Sequence, residues 1–391
     1  MEKQLTPQLR FPYLKDEWGK FEFSEIARRS KKSYNPNKDS ENFPCIELES
    51  LSQETGQLIK TFDSINLKSN KTRFSKNEVL FGKLRPYLKK HLLTTFEGVC
   101  TSEIWVFQGK LVSNPFLYYL IQTNKFNFEA NVSSGSKMPR TDWDYLSGIK
   151  FSIPKLSEEQ QKIAAFLTDV DDKITKLTKK KTLLEQYKKG IMQKIFNQEL
   201  RFKDENGNAF PEWEEKKLGD VFTFKQGFQF GVEAQSETYF KGSVEFIRII
   251  NVTSDKNDKR YVLDPGKEHH INKEDLFMVR YGDAGRVANG FTGIIANNMF
   301  RLLPHFEINK LFFFYSLGML YKKIHSLSGS STMPAISFST INKLKIIVPS
   351  LTEQKKIANF LSDIDVKIEA LNTKIENSKA FKKGLLQQMF V

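Results

Sequence analysis

Two stretches of the chain carry apolar residues at a seven-residue period, the pattern of long helices that pair along a seam. In the first, Ile163, Val170, Leu177, Leu184 and Ile191 form one row, and Leu167, Ile174, Lys181, Lys188 and Ile195 form the interleaved row. In the second, Ile357, Ile364, Leu371, Ser378 and Leu385 alternate with Leu361, Ile368, Ile375, Lys382 and Met389. Each stretch follows a short β-rich segment (Ile149 to Ile153, Leu344 to Val348) closed by Pro154 or Pro349. Ser157 or Thr352 then precedes an acidic first turn, which is an N-cap signal. Helices are thus predicted over about 157–196 and 352–390, with Ile163, Leu167, Val170, Ile174, Leu177, Ile357, Leu361, Ile364, Ile368 and Leu371 as their packing residues. A period held over five heptads calls for a partner helix, and the natural partner is the other copy in this chain. Packing of each helix only on its own unit is the alternative. Lys181, Lys188, Ser378 and Lys382 interrupt the seams, which predicts a looser end or one that receives another protein's helices.

The two stretches are copies of one another. Glu159 to Phe196 aligns with Glu353 to Phe390 without a gap, with about half of the positions identical. Upstream, Met138-Pro139 pairs with Met333-Pro334 and Ile153-Pro154 with Val348-Pro349. Each copy also opens alike, Leu9-Arg10-Phe11 before Glu17-Trp18 and Leu200-Arg201-Phe202 before Glu212-Trp213. Between these ends, residues from about 30 to 130 and 225 to 325 have diverged almost beyond alignment. The chain therefore reads as two homologous halves, alike in scaffold and different in the middle.

Charge narrows the class. Lys and Arg number 60 against 46 Asp and Glu, a net +14, which favours a polyanionic partner. No apolar run approaches the roughly 18 to 20 residues that span a bilayer, and charged residues stand where a signal peptide has its apolar stretch. Nucleic acid is thus preferred over a membrane, and a cytoplasmic location is expected. Cys45 and Cys100 are the two cysteines; their wide spacing suits neither a disulfide framework nor a zinc site. The 34 Phe are read mainly as core, with base stacking as the lesser use.

Candidate contacts sit in the divergent middles. Phe81-Gly82-Lys83-Leu84-Arg85-Pro86-Tyr87, with Lys89, Lys90 and His91 behind it, reads as a strand running into a basic turn. Arg280-Tyr281-Gly282-Asp283-Ala284-Gly285-Arg286 is the comparable segment of the second half. Arg suits bidentate guanine recognition, and Gly lets backbone approach phosphate. Lys83, Arg85, Lys89, Lys90, Arg280, Tyr281 and Arg286 are therefore candidate DNA contacts. Ser136, Lys137 and Arg140 in one loop, and Ser330 and Thr332 in its counterpart, form a second set, since small hydroxyl residues with Gly can offer backbone N–H groups to phosphates. A plain connector is the alternative for both loops. Arg248 alternates out of an apolar strand and is either a contact or a surface charge. The lysines at 179–181, 188 and 189 are either a solvated face or neighbours of DNA phosphates. His269-His270 lacks metal-site companions and reads as surface.

Motifs for chemistry are missing. There is neither a Gly-x-x-x-x-Gly-Lys-Ser/Thr loop nor a Gly-x-Gly-x-x-Gly after a strand. Asn114-Pro115-Phe116 superficially resembles the Asn/Asp-Pro-Pro-Tyr/Phe loop of amino-methyltransferases, but lacks the second proline and a glycine-rich cofactor loop. No catalytic or metal residues are assigned. The expectation is a binding protein and not an enzyme.

Two variable units, each closed by Pro-x-Leu-(x)-x-Glu-Gln-x-Lys-Ile-Ala-x-Phe-Leu-x-Asp and a long helix, resemble the specificity subunit of Type I restriction-modification enzymes. The likeness covers essentially the whole chain and is most specific around Glu159 and Glu353. It implies a mixed α/β (α+β) fold with a pseudo-twofold repeat. Target-recognition domains at 1–156 and 198–351 would be joined by antiparallel coiled-coil helices at 157–197 and 352–391, each domain reading one part of a bipartite, asymmetric site in double-stranded DNA. It further implies partners: two methyltransferase subunits that bind the helices and use S-adenosylmethionine on adenine, and two restriction subunits that use ATP and Mg. No cofactor is expected in this chain. A coiled-coil adaptor or decoy that binds proteins is the alternative from a different class.

Overall fold

The computed structural model describes residues 6–39, 41–64, 67–132, 138–254, 258–329 and 334–391. Two compact units emerge. One comprises residues 1–180 with 371–391, the other residues 181–370. Each long helix, Ser157–Phe196 and Leu351–Gln388, therefore contributes its first part to one unit and its last part to the other. Since the start of one helix accompanies the end of the other in each unit, the pair is antiparallel. The second helix begins one residue before the expected Thr352, because Ser350 supplies the cap: its Oγ accepts from the Glu353 N–H at 3.3 Å.

The first unit is built on three sheets. Trp18–Glu22 pairs antiparallel with Lys150–Pro154. A four-stranded sheet places Ile104–Gly109 between Ala27–Arg29 and Val79–Gly82, with His91–Leu93 on the edge. A five-stranded sheet includes the parallel pair Pro44–Ile46 and Gly98–Cys100, where Cys45 and Cys100 lie as free, buried thiols. The second unit repeats the first two sheets. Glu214–Lys217 pairs with Lys345–Val348, and Met299–Pro304 runs between Phe222–Gln226 and Leu276–Val279, with Val287–Ala288 on the edge. The third sheet differs: among the described residues Tyr261–Leu263, Ser243–Ile247 and Ile294–Ile295 form three strands. The four-stranded sheet is thus repeated although most of its strands lie in the diverged stretches, and the third sheet is where the divergence changes the strand pattern.

Most of the aromatic residues do serve burial. Phe23, Phe81, Phe107, Phe126 and Phe151 are fully buried in one cluster, which also takes in Trp105 and Tyr119. Phe23 meets Phe107, Phe126 and Phe151 edge to face or tilted at 5.3 to 5.7 Å, and Phe81 stacks on Phe107 at 6.1 Å.

The helix seams do two jobs at once. Ile163, Leu167 and Val170 are buried in the first unit's core beside Leu385, Met389 and Phe390, and Ile174 packs against that cluster. In the second unit Ile357, Ala358 and Leu361 share a core with Ile195. Each helix start therefore packs on its own unit and on the tail of the other helix, so the helices are each other's partners and the alternative of packing only on their own unit does not hold. Ile364 and Leu371 are also buried, while Leu177 and Ile368 are half-buried.

Lysines in the seams require a correction. They are paired and do not mark a loose end. Lys382 Nζ lies 2.8 Å from Asp171, which also accepts from Tyr119 Oη at 3.0 Å. At the repeat-related place Lys188 pairs with Asp365, which accepts from Tyr315 Oη at 2.6 Å. Burial and the neighbouring carboxylate both hold the two phenols protonated. Lys188 is thereby removed from the lysines free to approach phosphate. Lys181 makes an exposed pair with Glu185 one helical turn on, and Ser378 bonds back to the Lys374 carbonyl.

The matching sequence signatures converge on one buried carboxylate per unit. Glu159, 1% exposed, accepts Arg10 Nε at 2.6 Å, Arg10 Nη2 at 2.8 Å and Trp18 Nε1 at 3.2 Å. Glu353, fully buried, accepts Arg201 Nε at 3.4 Å, Arg201 Nη2 at 3.1 Å and Trp213 Nε1 at 3.0 Å. The next residue completes the join: Gln160 donates to the Pro154 carbonyl at 3.0 Å, and Gln354 to the Pro349 carbonyl at 2.9 Å. Removing a buried partner strands the remaining charge, so Glu159→Ala should cost the first unit about 3 kcal/mol in urea unfolding, and Glu353→Ala a similar amount in the second.

His91 offers a pH test. It is buried, its Nδ1–H donates to the Lys89 carbonyl at 2.8 Å, and Nε2 is buried without a partner among the described residues. Burial first, and then the charge of Lys382, push its pKa from 6.5 down to about 4. Below pH 6.5 the unfolded chain takes up a proton that the folded chain refuses, so stability falls as pH drops from 6.5 towards 4, by about 3 kcal/mol in all. His91→Asn keeps a donor for Lys89 and should flatten the decline of the melting temperature over that interval.

Candidate nucleic-acid interface

Apart from Arg248, which follows a strand of the separate three-stranded sheet, the described candidate contacts collect in both units at one end of the four-stranded sheet, and the topology explains why. The strands on either side of the central one are both antiparallel to it, so they run in the same direction and leave the sheet together. In the first unit this brings out Lys31 after Ala27–Arg29 and Lys83 after Val79–Gly82. In the second it brings out Gln226 and Arg280. The ladders equate Lys83 with Arg280: the Lys83 N–H donates to the Glu103 carbonyl at 3.0 Å, and the Arg280 N–H to the Asn298 carbonyl at 2.8 Å.

The loops singled out separately in the sequence meet here. Leu84 bridges Arg140, with the Arg85 N–H on the Pro139 carbonyl at 2.8 Å and the Thr141 N–H on the Lys83 carbonyl at 3.0 Å. Tyr281 bridges Ala335 in the same way, the Gly282 N–H on the Pro334 carbonyl at 2.9 Å and the Ile336 N–H on the Arg280 carbonyl at 3.0 Å. Ser136, Lys137, Ser330 and Thr332 lie outside the described residues.

Side-chain surroundings separate the candidates. Lys83 and Arg85 have no ion pair among the described residues, and Arg85 is exposed. Lys89 pairs with Glu54 at 3.1 Å. Lys90 donates to the Leu48 carbonyl at 2.6 Å, and burial lowers its pKa, so its charge is turned inward. Arg140 is held by Glu103 through bonds of 3.0 and 3.2 Å. Arg248 stands at the N-cap position of the short helix Ile249–Thr253, its backbone N–H donating to Asn251 Oδ1 at 2.8 Å, and its guanidinium pairs with Asp258 at 2.9 Å. Arg286 is bound by Asp283, which also takes the Tyr321 hydroxyl. The Arg280 guanidinium lies over Phe338 at 4.6 Å and Tyr281 at 5.0 Å, donating to the Ile336 carbonyl at 3.2 Å and to Gln226 Oε1 at 3.0 Å. His269 meets Phe228 edge to face with centroids 4.3 Å apart, and His270 bonds Asp264 at 2.8 Å.

Backbone conformation marks two of the candidates, the ion-paired Lys89 at φ 47° and Arg85 at φ 52°, both in the left-handed region that L residues avoid; the counterpart of Arg85 in the second unit is Gly282 at φ 78°. The first unit therefore places a long cation where the other places the residue that fits without strain. Such a retained outlier is a pointer to use.

The sequence reading passed over two groups at this end. One is the basic run at 28–32, in which Lys31 and Lys32 are exposed while Arg29 lies over the Trp105 and Trp143 rings at 5.4 and 5.2 Å. The other is the amide group Gln226, Gln229, Asn297 and Asn298 in the second unit. A basic run on a strand edge was a visible signal for the first. Amides carry no comparable mark in a sequence.

An α/β repeat protein that presents the same sheet end twice, with different side chains each time, belongs to the class of paired recognition modules. A family model described as Type I restriction modification DNA specificity domain matches residues 15–186 and 211–378, and the chain belongs to that family. It is thus a DNA-recognition subunit. The putative type I restriction enzyme MjaX specificity subunit of Methanocaldococcus jannaschii is 26% identical over 412 aligned positions, covering 95% of this chain and 92% of that protein. The MjaVIII specificity subunit of the same organism is 31% identical over 206 positions, which cover 51% of this chain and 47% of that one. The fold is shared with the crystal structure of the Type I system S subunit from M. genitalium, at a TM-score of 0.62 and 16% identity, covering 99% of each chain.

Arg85→Gly tests the pointer without breaking the turn. Glycine relieves the left-handed strain, so stability should hold or rise by up to about 1 kcal/mol, while DNA affinity falls. A loss of stability in thermal melts would mean that Arg85 serves the fold.

Proposed function

We propose that this chain is the specificity subunit of a Type I restriction-modification complex. Each unit reads one part of a bipartite, asymmetric site in double-stranded DNA. The observation that carries this reading is the pair of equivalent sheet ends: Lys31, Lys83 and Arg85 in one unit stand where Gln226, Arg280 and Gly282 stand in the other. One scaffold with two surfaces suits two different half-sites. Cations there position the protein on phosphates, and groups that reach base edges specify.

The catalytic work falls to partners. Two methyltransferase subunits dock on the helices and methylate adenine with S-adenosylmethionine, and two restriction subunits add ATP- and Mg-dependent cleavage. This chain's residues bind and orient, in the cytoplasm. Among the described residues no helix is long and apolar enough to cross a membrane.

Two measurements test the reading. Binding of the complex to duplex DNA should weaken steeply with salt, and neutralising Lys83 should lower affinity for all sequences alike and reduce the salt slope by about one. Replacing residues from about 20 to 150 with those of another specificity subunit should change one half-site in the mapped methylation motif and leave the other. A binding curve indifferent to salt would favour the adaptor reading instead.

A further inference from the structure

The amides of the second unit form a linked set. Arg280 is the anchor, clamped between Phe338 and the Ile336 carbonyl, and it donates to Gln226 Oε1. Gln226 Nε2 donates to the Asn297 carbonyl at 2.8 Å, which ties down the turn before the central strand. Asn297 Nδ2 then donates to Gln229 Oε1 at 3.1 Å. Two of the five Arg280 N–H groups, and both polar atoms of Gln226, are thus engaged within the protein, which fixes where these side chains lie. Asn297 keeps its Oδ1, and Gln229, which is exposed, keeps both Nε2 hydrogens. Next to them Asn298 Oδ1 is buried with no partner among the described residues, which is unusual for a segment serving stability alone.

A neutral amide pair releases no counterions, so it adds little to affinity for a polyanion. It can still specify. Adenine offers one donor at N6 and one acceptor at N7 in the major groove, which an amide answers with its oxygen and its N–H. We propose that Asn297 and Gln229 are specificity-determining residues of the second unit that read an adenine in its half-site, with Arg280 and Gln226 as positioning residues. This rests on the specificity-subunit reading above. It also reassigns Arg280, expected from sequence to read guanine, to the support of its neighbours.

The test uses the full chain co-expressed with methyltransferase subunits that accept it, the modified sites being mapped genome-wide. The unaltered chain should yield one bipartite motif. Gln229→Ala should relax one adenine position of one half-site, lowering discrimination there about tenfold to a hundredfold, and leave the other half-site unchanged. Asn297→Asp replaces the Nδ2 donor to Gln229 by an oxygen, so the Gln229 amide turns over to donate to it and presents Oε1 outward; with acceptors alone facing the base, the same position should move towards cytosine, whose N4 donates. Gln229 is exposed, so its variant should melt with the unaltered chain. An unchanged motif in both variants overturns the proposal, as does an even weakening at every position. If the unaltered chain gives no motif at all, the specificity-subunit reading fails and takes this one with it.

Discussion

Each recognition unit depends on one carboxylate that cannot be hydrated. Glu159 and Glu353 stand in the first turn of the long helices yet are buried, and a bare carboxylate there would cost several kcal/mol. The cost is offset by an arginine and a tryptophan from the segment that opens the repeat. Three distant points of the chain are thereby held at one place: the opening, the helix start, and the two-stranded sheet that carries Trp18 or leads from Trp213. With the helix start anchored, the four-stranded sheet has a fixed wall to pack on, and its free end is set for recognition.

The seam lysines extend the same logic along the helices. Lys382 reaches Asp171 and Lys188 reaches Asp365, so a lysine from each copy of the repeat meets an aspartate from the other. The aspartate is in each case also bound by a tyrosine of the recognition unit, Tyr119 or Tyr315. A shift of either helix by one turn would leave a half-buried charge unpaired, whereas an all-apolar seam would accept such a slip at little cost. Register is thus specified by polar groups, and sheet and helices are specified together.

The recognition surface differs from this scaffold in its tolerance. At the sheet end, strand direction determines where side chains emerge, and the core is indifferent to what they are. Lys31 can be exchanged for Gln226, and Arg85 for Gly282, with the ladder intact. Specificity can therefore vary while the buried carboxylates, seam and central strand stay as they are.

Much of this was legible in the sequence because it is periodic or repeated. Heptads reveal helices, since burial on one helical face imposes the spacing, and the matching ends reveal two copies of one scaffold. The Glu-Gln and Glu-Trp signatures were visible too, though not the bond between them, since nothing in a linear sequence says that Arg10 and Glu159 meet. What tertiary structure decided is the fate of individual charges. Lys83, Lys90, Arg140 and Arg280 look alike in sequence, yet Lys90 turns to a carbonyl, Arg140 to Glu103 and Arg280 to an amide and a ring, while Lys83 remains without an ion pair among the described residues. Partners brought together by folding determine whether a cation is free to meet DNA, and those partners lie far away along the chain.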